Sequence, residues 1–260
     1  MSKIRDLVPT LAVVLSVGAA LAGCTASGRA AQDARPARVV AADSHGKNPV
    51  TPEQARRFGP LRQSEARYPK NRGLSAEAVT ERYAFMSTRY QQVGQLLSPD
   101  DAEFVRIYAT ETPAMVEATK EATSVEGTGK TVSDVHAIPA ITKNFSKTGS
   151  GAGATGSVSG YQYMNYSDVP WNISGNWSAQ ISASGSSTVT KVTCIEHVRV
   201  YGLIGSSGIG LAYAANPSGT VSGRSNSFYR SANFTAYGAY WTMNYEADFY
   251  TSRGSFSVTG

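Results

Sequence analysis

Residues 126–260 alternate apolar and polar side chains, and short turn sequences interrupt the alternation. Trp177, Ala179 and Ile181, for example, stand at every second position of one run. Successive side chains of a β-strand point to opposite faces, so this alternation is typical of strands with one buried face. The runs and turns predict about seven to nine strands in an antiparallel β-sandwich or barrel. No helical run of ten residues interrupts them, which disfavours a parallel α/β sheet.

Residues 73–125 show the period of a helix instead. Ser75 is placed to cap a first helix, and Ser98 followed by Pro99 is typical of the start of a second. Pro113 marks a break or the start of a third. The apolar stripe recurs every three or four positions, at Val79, Tyr83, Met86, Tyr90, Val93 and Leu97. The sequence therefore predicts a mainly β protein preceded by a two- to three-helix unit.

The chain begins with a short basic segment and an uncharged, mostly apolar run from Leu7 to Ala22. Sixteen residues of helix span about 24 Å, which is short of a hydrocarbon core of about 30 Å. The run ends in Leu21-Ala22-Gly23-Cys24, which resembles the lipobox of bacterial lipoproteins. The resemblance implies a signal peptide over 1–23, lipid on Cys24, and an extracytoplasmic position at the cell membrane or envelope. Ordinary secretion stays open, because Ala20-Leu21-Ala22 also fits a signal-peptidase site.

Composition distinguishes residues 24–72 from the rest. Positions 25–72 hold ten Lys or Arg against four Asp or Glu and few large apolar side chains. Such a segment buries too little surface to offset its ordering entropy, so we expect a disordered basic tether. Its charge either lies on anionic lipid or wall polymer, or is simply solvated. An exported chain has little access to nucleic acid, so the net charge of +5 does not indicate that partner.

Few residues have the spacing that catalysis or metal binding requires. The three histidines are scattered and no zinc motif occurs, so we expect no catalytic residue, metal or cofactor. Alternation places Cys194 and Glu196 on one strand face and His197 on the other. Glu246 and Asp248 share a strand face. A hydrolase of envelope polysaccharide remains an alternative if these carboxylates and Glu196 converge in one cleft.

The stretch from Thr148 to Thr190 is nearly free of charge. Asp168 is the one Asp, Glu, Lys or Arg that it contains. Aromatic faces beside neutral hydroxyl and amide groups suit sugar recognition. We expect ligand contacts from Tyr161, Tyr163, Trp171 and Trp177. These rings would otherwise form the core of the sandwich. A third interpretation is a membrane-inserting hairpin, since uncharged Ser/Thr-rich strands resemble those of β-pore-forming toxins.

The sequence thus predicts a lipid-anchored envelope protein that acts as a non-catalytic binding or interaction module. Its partners would be the membrane, through the N-terminal lipid, and a glycan or another envelope protein. The hydrolase and the pore-forming protein are the alternatives.

Replacing Cys24 tests the predicted anchor. Cys24→Ala removes the sulfur that would carry diacylglycerol, and two acyl chains are what hold such a protein stably at a bilayer. We expect the variant to leave the membrane fraction and appear in the medium, as followed by immunoblotting. Unchanged partitioning of Cys24→Ala with membranes would exclude a lipid on this residue.

Overall fold

The computed structural model of the protein describes residues 52–112, 115–116, 119, 140–169, 172–205 and 207–260. The predicted signal peptide, Cys24 and Trp171 lie outside the described residues. None of the helices in the described part of the chain has the length and apolar character needed to cross a bilayer.

The described chain contains ten strands and three α-helices that are described over their whole length. Residues 115, 116 and 119 are also helical, whereas Pro113, the predicted start of a third helix, lies outside the described residues. The helices are α1 (Pro52–Phe58), α2 (Ala76–Arg89) and α3 (Pro99–Tyr108). The strands are β1 (Thr110–Glu111), β2 (Ile141–Gly151), β3 (Ala154–Val169), β4 (Asn172–Gly185), β5 (Val189–Ile204), β6 (Gly208–Ala215), β7 (Ser218–Ser222), β8 (Ser225–Ala236), β9 (Tyr240–Thr251) and β10 (Gly254–Thr259). The predicted capping residues Ser75 and Ser98 directly precede α2 and α3.

The strands form two antiparallel sheets that pack as a sandwich, which confirms the predicted fold class. One sheet has four strands in the order β2-β3-β4-β8. The other has six: β1-β9-β5-β6 in order, with β10 also paired to β9 and β7 also paired to β5. Because β5 pairs along the whole of β9, the strands β1 and β10 share the opposite edge of β9.

The space between the sheets is filled by two apolar clusters. One cluster is centred on Val158, Ile181 and Phe249. The other is centred on Met164, Trp177 and Met243. Each of these six residues is on the inward face of its strand. The two-residue period of apolar positions in the sequence therefore marks the side chains that pack in the core.

The helices cover the outer face of the six-stranded sheet at one end. Tyr83 and Met86 of α2 and Phe104 of α3 pack in one buried cluster with Tyr201 and Tyr240 of the sheet. Helices and sheet therefore share a core. That core occupies only this side of the sandwich, so the outer face of the four-stranded sheet carries no helix among the described residues.

Residues 52–72 differ from the tether that the sequence predicts. They contain α1 and two short 3-10 helices (Gln63–Glu65 and Pro69–Asn71). The buried carboxylate of Glu103 accepts hydrogen bonds from the backbone N–H groups of Arg67 (2.8 Å) and Tyr68 (3.0 Å) and from the Asn71 amide (3.0 Å). These contacts join segments more than thirty residues apart, which composition does not reveal.

A buried carboxylate also joins α2 to α3. Asp101 is 1% exposed and pairs with Arg82 Nη2 at 2.5 Å. The hydroxyls of Tyr90 (2.7 Å) and Ser98 (2.8 Å) donate to its other oxygen. Burial alone would raise the pKa of Asp101, but these hydrogen bonds from Tyr90, Arg82 and Ser98 outweigh it and lower the pKa. The charged form is therefore the one that the fold stabilises.

Arg199 connects the same helices to the sheet. Its guanidinium is 1% exposed and donates to the carbonyl of Ser87 (3.1 Å), in the last turn of α2. It also donates to the side-chain oxygen of Asn216 (2.7 Å). A cation at a helix C-terminus is favoured by the helix dipole, so Arg199 fixes this end of α2 on the six-stranded sheet.

Removing the charge of Asp101 tests how the helical layer is held. Asp101→Asn removes the fully buried charge that pairs with Arg82, although Asp100 stays 3.2 Å from the same guanidinium nitrogen. Breaking a buried ion pair typically costs about 3–5 kcal/mol. We expect a loss of that order in the free energy of unfolding, measured by urea denaturation. Glu81→Gln, at an exposed position on α2, is the control and should change little. An equal effect of both variants would contradict this role of Asp101.

Candidate functional site

The outer face of the four-stranded sheet is a continuous uncharged surface, which we call the neutral face. Strand pairing places its residues side by side, and every one is exposed or half-buried. Only Ser, Thr, Asn, Gln and Tyr occur there. The members are Thr142, Asn144, Ser146, Thr148, Ser150, Thr155, Ser157, Ser159, Tyr161, Tyr163, Asn165, Ser174, Asn176, Ser178, Gln180, Ser182, Ser184, Ser225, Ser227, Tyr229, Ser231, Asn233 and Thr235.

Three tyrosines lie near the middle of the neutral face. One row across the four strands reads Asn144, Tyr161, Gln180 and Tyr229. Tyr163 lies two residues along β3 from Tyr161, on the same face. Tyr161 and Tyr229 are separated by the one strand that carries Gln180, or about 10 Å at the normal spacing between strands. Two rings therefore flank an amide group.

The sequence interpretation missed Gln180 and Tyr229. Tyr229 is 52% exposed, among the most open of the large side chains. The sequence could have indicated this, because Tyr229 alternates along β8 with Ser227 and Ser231 and so shares their face of the strand. Phe228 is at an intervening position, on the opposite face, and is buried. Parity along each strand thus distinguishes surface rings from core rings.

The basic side chains of this sheet lie at its edges. Lys143 and Lys147 belong to β2, and Arg230 belongs to β8, the two outer strands. All three have the parity of the inward face and are exposed. In the described part of the chain, no further strand of this sheet pairs with the outer edge of β2 or β8. Charged side chains at sheet edges oppose pairing with another sheet. The neutral face is thus bordered by charge but contains none.

The predicted ligand residues do not lie on one surface. Tyr161 and Tyr163 are on the neutral face. Trp177 is on the inward face of β4, 2% exposed, and its indole N–H donates to the Tyr213 hydroxyl at 3.1 Å. Trp177 is therefore a core residue, and the structure does not bring it together with the two tyrosines. Trp171 lies outside the described residues.

The three candidate carboxylates for a hydrolase do not converge in one cleft, because they are divided between the two faces of the six-stranded sheet. Glu196 is fully buried on the inward face, while Glu246 and Asp248 are on the outward face. His197 is also outward, with Nε2 3.4 Å from a Glu246 oxygen. Cys194 and Glu196 share one face and His197 has the other, as alternation predicts.

Glu246 and Asp248 form a hydrogen-bonded group on the open sheet. The hydrogen bond between His197 and Glu246, together with the charge of His197, lowers the pKa of Glu246, whereas burial acts to raise that pKa. Burial and the neighbouring Glu246 raise the pKa of Asp248, against the hydrogen bond from Ser257. These opposed shifts follow from two acids and one imidazole in contact.

Cys194 is a free, buried thiol. Burial, with a smaller effect from the charge of Asp248, raises its pKa to about 12. The thiolate is the nucleophilic form, so this side chain is suited to packing rather than to chemistry.

Glu196 and Gln162 are a polar pair inside the sandwich. Gln162 is 3% exposed and its amide nitrogen donates to Glu196 Oε1 at 2.8 Å. Burial raises the pKa of Glu196 well above its ordinary value, although the Gln162 hydrogen bond and Lys143 act in the opposite direction. A buried carboxyl without a cation in contact is more stable protonated, so we expect a neutral Glu196.

Comparison with known proteins gives no family for the chain. No protein-family model matches the sequence. No curated protein matches it either. The geometry of the described residues therefore carries the functional argument.

Glu196 should make the stability of the protein depend on pH. Its folded pKa is raised, so the unfolded chain releases the proton first and stability falls as pH rises above about 4.5. The slope for one proton is at most about 1.4 kcal/mol per pH unit. We expect Glu196→Gln to remove this part of the decline between pH 5 and 8, measured by urea denaturation.

Glu77→Gln, at an exposed position on α2, is the matched control and should keep the wild-type slope. If Glu196→Gln declines with pH as steeply as the wild type, Glu196 is ionised in the folded protein and the assignment is wrong.

Proposed function

We propose that this protein is a non-catalytic envelope protein, anchored by lipid on Cys24, whose neutral face binds an uncharged glycan. The supporting observation is the composition of that face: hydroxyl and amide side chains around Tyr161, Tyr163 and Tyr229, with no ionisable acid or cation among its members.

The chemistry of the neutral face matches that of a sugar. The C–H faces of a pyranose stack on aromatic rings, and its hydroxyls donate and accept hydrogen bonds. The amide of Gln180 offers both a donor and an acceptor between two tyrosines, and Asn144 does so at the end of the same row. An uncharged ligand also leaves no group that requires a counter-charge from the protein.

The shape of the site favours a polymer over a small molecule. A flat sheet face surrounds its ligand poorly, whereas small ligands are normally enclosed in concave pockets. An extended chain compensates by making many weak contacts along the strands. The long strands β3 and β4 supply such a track, with hydroxyls on either side of the tyrosines.

Two observations disfavour the alternatives. A hydrolase requires carboxylates that face each other across the substrate, and Glu196 is separated from Glu246 and Asp248 by the sheet itself. A membrane-inserting hairpin requires an apolar face free to meet lipid. The apolar face of β3 and β4 is instead buried against the other sheet, as Val158 and Ile181 illustrate.

Single ring deletions on the neutral face test the proposal. We expect the purified protein to be retained on insoluble neutral polysaccharides, and Tyr161→Ala and Tyr229→Ala each to weaken retention about tenfold, as one ring contact is worth up to about 1.5 kcal/mol. Tyr237→Ala is the control, because Tyr237 is 48% exposed but lies outside the neutral face. Binding should persist in high salt, since the contacts are uncharged.

Three results would overturn the proposal. Equal retention of all three variants would place binding elsewhere. Retention only on phosphate-bearing polymers, and only at low salt, would assign binding to the basic N-terminal segment. Release of dye from lipid vesicles without any retention on polysaccharide would favour the membrane-inserting alternative.

A further inference from the structure

One edge of β9 lacks a strand partner over a short stretch. β1 pairs with Tyr240 and Trp241, and β10 pairs with residues 246–251. Tyr245 exchanges backbone hydrogen bonds with Gly260. Neither strand pairs with residues 242–244, so the six-stranded sheet is interrupted at this edge within the described part of the chain.

A cavity of about 340 Å³ lies at this interruption. Its walls come from both sheets and from the helices. Tyr83 and Tyr108 belong to the helical layer, Trp241 and Asn244 to β9, and Gln162 to β3. This volume lies within the range of pockets that hold small ligands, and it exceeds the space of one water molecule about tenfold.

Five of the residues that line the cavity carry a buried polar atom with no hydrogen-bond partner among the described residues. These atoms are Tyr83 Oη, Gln162 Oε1, Trp241 Nε1, Thr242 Oγ1 and Asn244 Nδ2. All five side chains are more than nine-tenths buried, with 3–8% of their surface exposed.

Unpaired buried groups are costly, at about 1–3 kcal/mol each, and native proteins contain few of them. Five among the residues that line one cavity indicate that the cavity is built to be occupied. The occupant must offer hydrogen-bonding groups in several directions at once.

The wall chemistry restricts what the occupant can be. The indole N–H of Trp241 can only donate, so it requires an acceptor. Gln162 uses its amide nitrogen on Glu196 (2.8 Å), which leaves Oε1 as an acceptor that requires a donor. A hydroxyl group meets both needs, because it donates and accepts.

Among the described residues that line the cavity, the charged side chains have one sign. Lys143 is exposed and lines it, and none of the lining residues that the structure describes is an acid. A carboxylate on the ligand would therefore meet a cation and no repulsion. Ile141, Met164 and Met243 supply an apolar wall suited to a carbon skeleton.

We propose that this cavity binds a small hydroxylated carboxylate of the size of one sugar acid. Lys143 contacts the carboxylate, and Tyr83, Gln162, Trp241 and Asn244 pair with the hydroxyls. This site adjoins the neutral face at Thr142, which belongs to both, but the inference does not depend on the glycan proposed there.

The test is a titration of the purified full-length protein, in detergent, with D-glucuronate. D-glucose lacks the carboxylate, and acetate lacks the hydroxyls. We expect glucuronate to bind at least tenfold more tightly than either compound, measured by isothermal titration calorimetry. No binding of glucuronate, or equal binding of all three compounds, would overturn the proposal.

Two variants localise the site. Lys143→Gln should weaken glucuronate binding about tenfold, as expected for a hydrogen bond to a charged group. The control is Lys147→Gln, at an exposed lysine of the same strand that does not line the cavity. Tyr83→Phe removes an unpaired hydroxyl, so it should weaken binding about fivefold without lowering thermal stability.

Unchanged affinity in both Lys143→Gln and Tyr83→Phe would place glucuronate elsewhere and refute the assignment. A crystal soaked in glucuronate that shows only ordered water in the cavity would refute it as well. Retention on neutral polysaccharide is a separate measurement, so failure here and failure at the neutral face can be told apart.

Discussion

The two-residue period of the β-strand is the constraint on which the structure depends. Once β3, β4 and β8 bury one set of alternate side chains, the other set must share a single outward surface. The inward set is closely packed: a Cβ on Gly156 would lie 2.6 Å from the ring of Phe249. The outward set is free of that demand, and in this chain it consists of hydroxyls, amides and tyrosines.

The helical layer makes the two outer faces unequal. At one end of the six-stranded sheet the outer face is covered by α2 and α3, which are fixed by Arg199 and by the Asp101 network. The four-stranded sheet has no such cover among the described residues. One face is therefore used to complete the core, and the other is left to contact whatever lies outside the protein.

The buried polar groups divide in a similar way. Asp101, Glu103 and Arg199 have partners that tie segments together, although Arg199 keeps Nε unpaired, and removal of these side chains should weaken the fold. Gln162 Oε1 and Trp241 Nε1 are unpaired in side chains that line the cavity beside β9. Unpaired groups do not stabilise a fold, so their position around one cavity is better explained by a ligand.

Alternation and capping residues were sufficient to predict the sandwich, the starts of α2 and α3, and the opposite faces of Glu196 and His197. Strict parity would also have placed Trp177 in the core and Tyr229 on the surface, because each shares its parity with clearly apolar or clearly polar neighbours. The packing of residues 52–72 and the cavity were not predictable. They depend on contacts between distant segments, such as Glu103 with Arg67 and the unequal lengths of β1 and β10.

The most direct measurement is an NMR titration of the isotope-labelled protein with a neutral oligosaccharide. Binding to the neutral face predicts that amide shift changes concentrate on β3, β4 and β8, around Tyr161, Gln180 and Tyr229. Shift changes confined to the helices or to the six-stranded sheet would contradict this assignment. So would the absence of any shift change with a glycan that does retain the protein on a column.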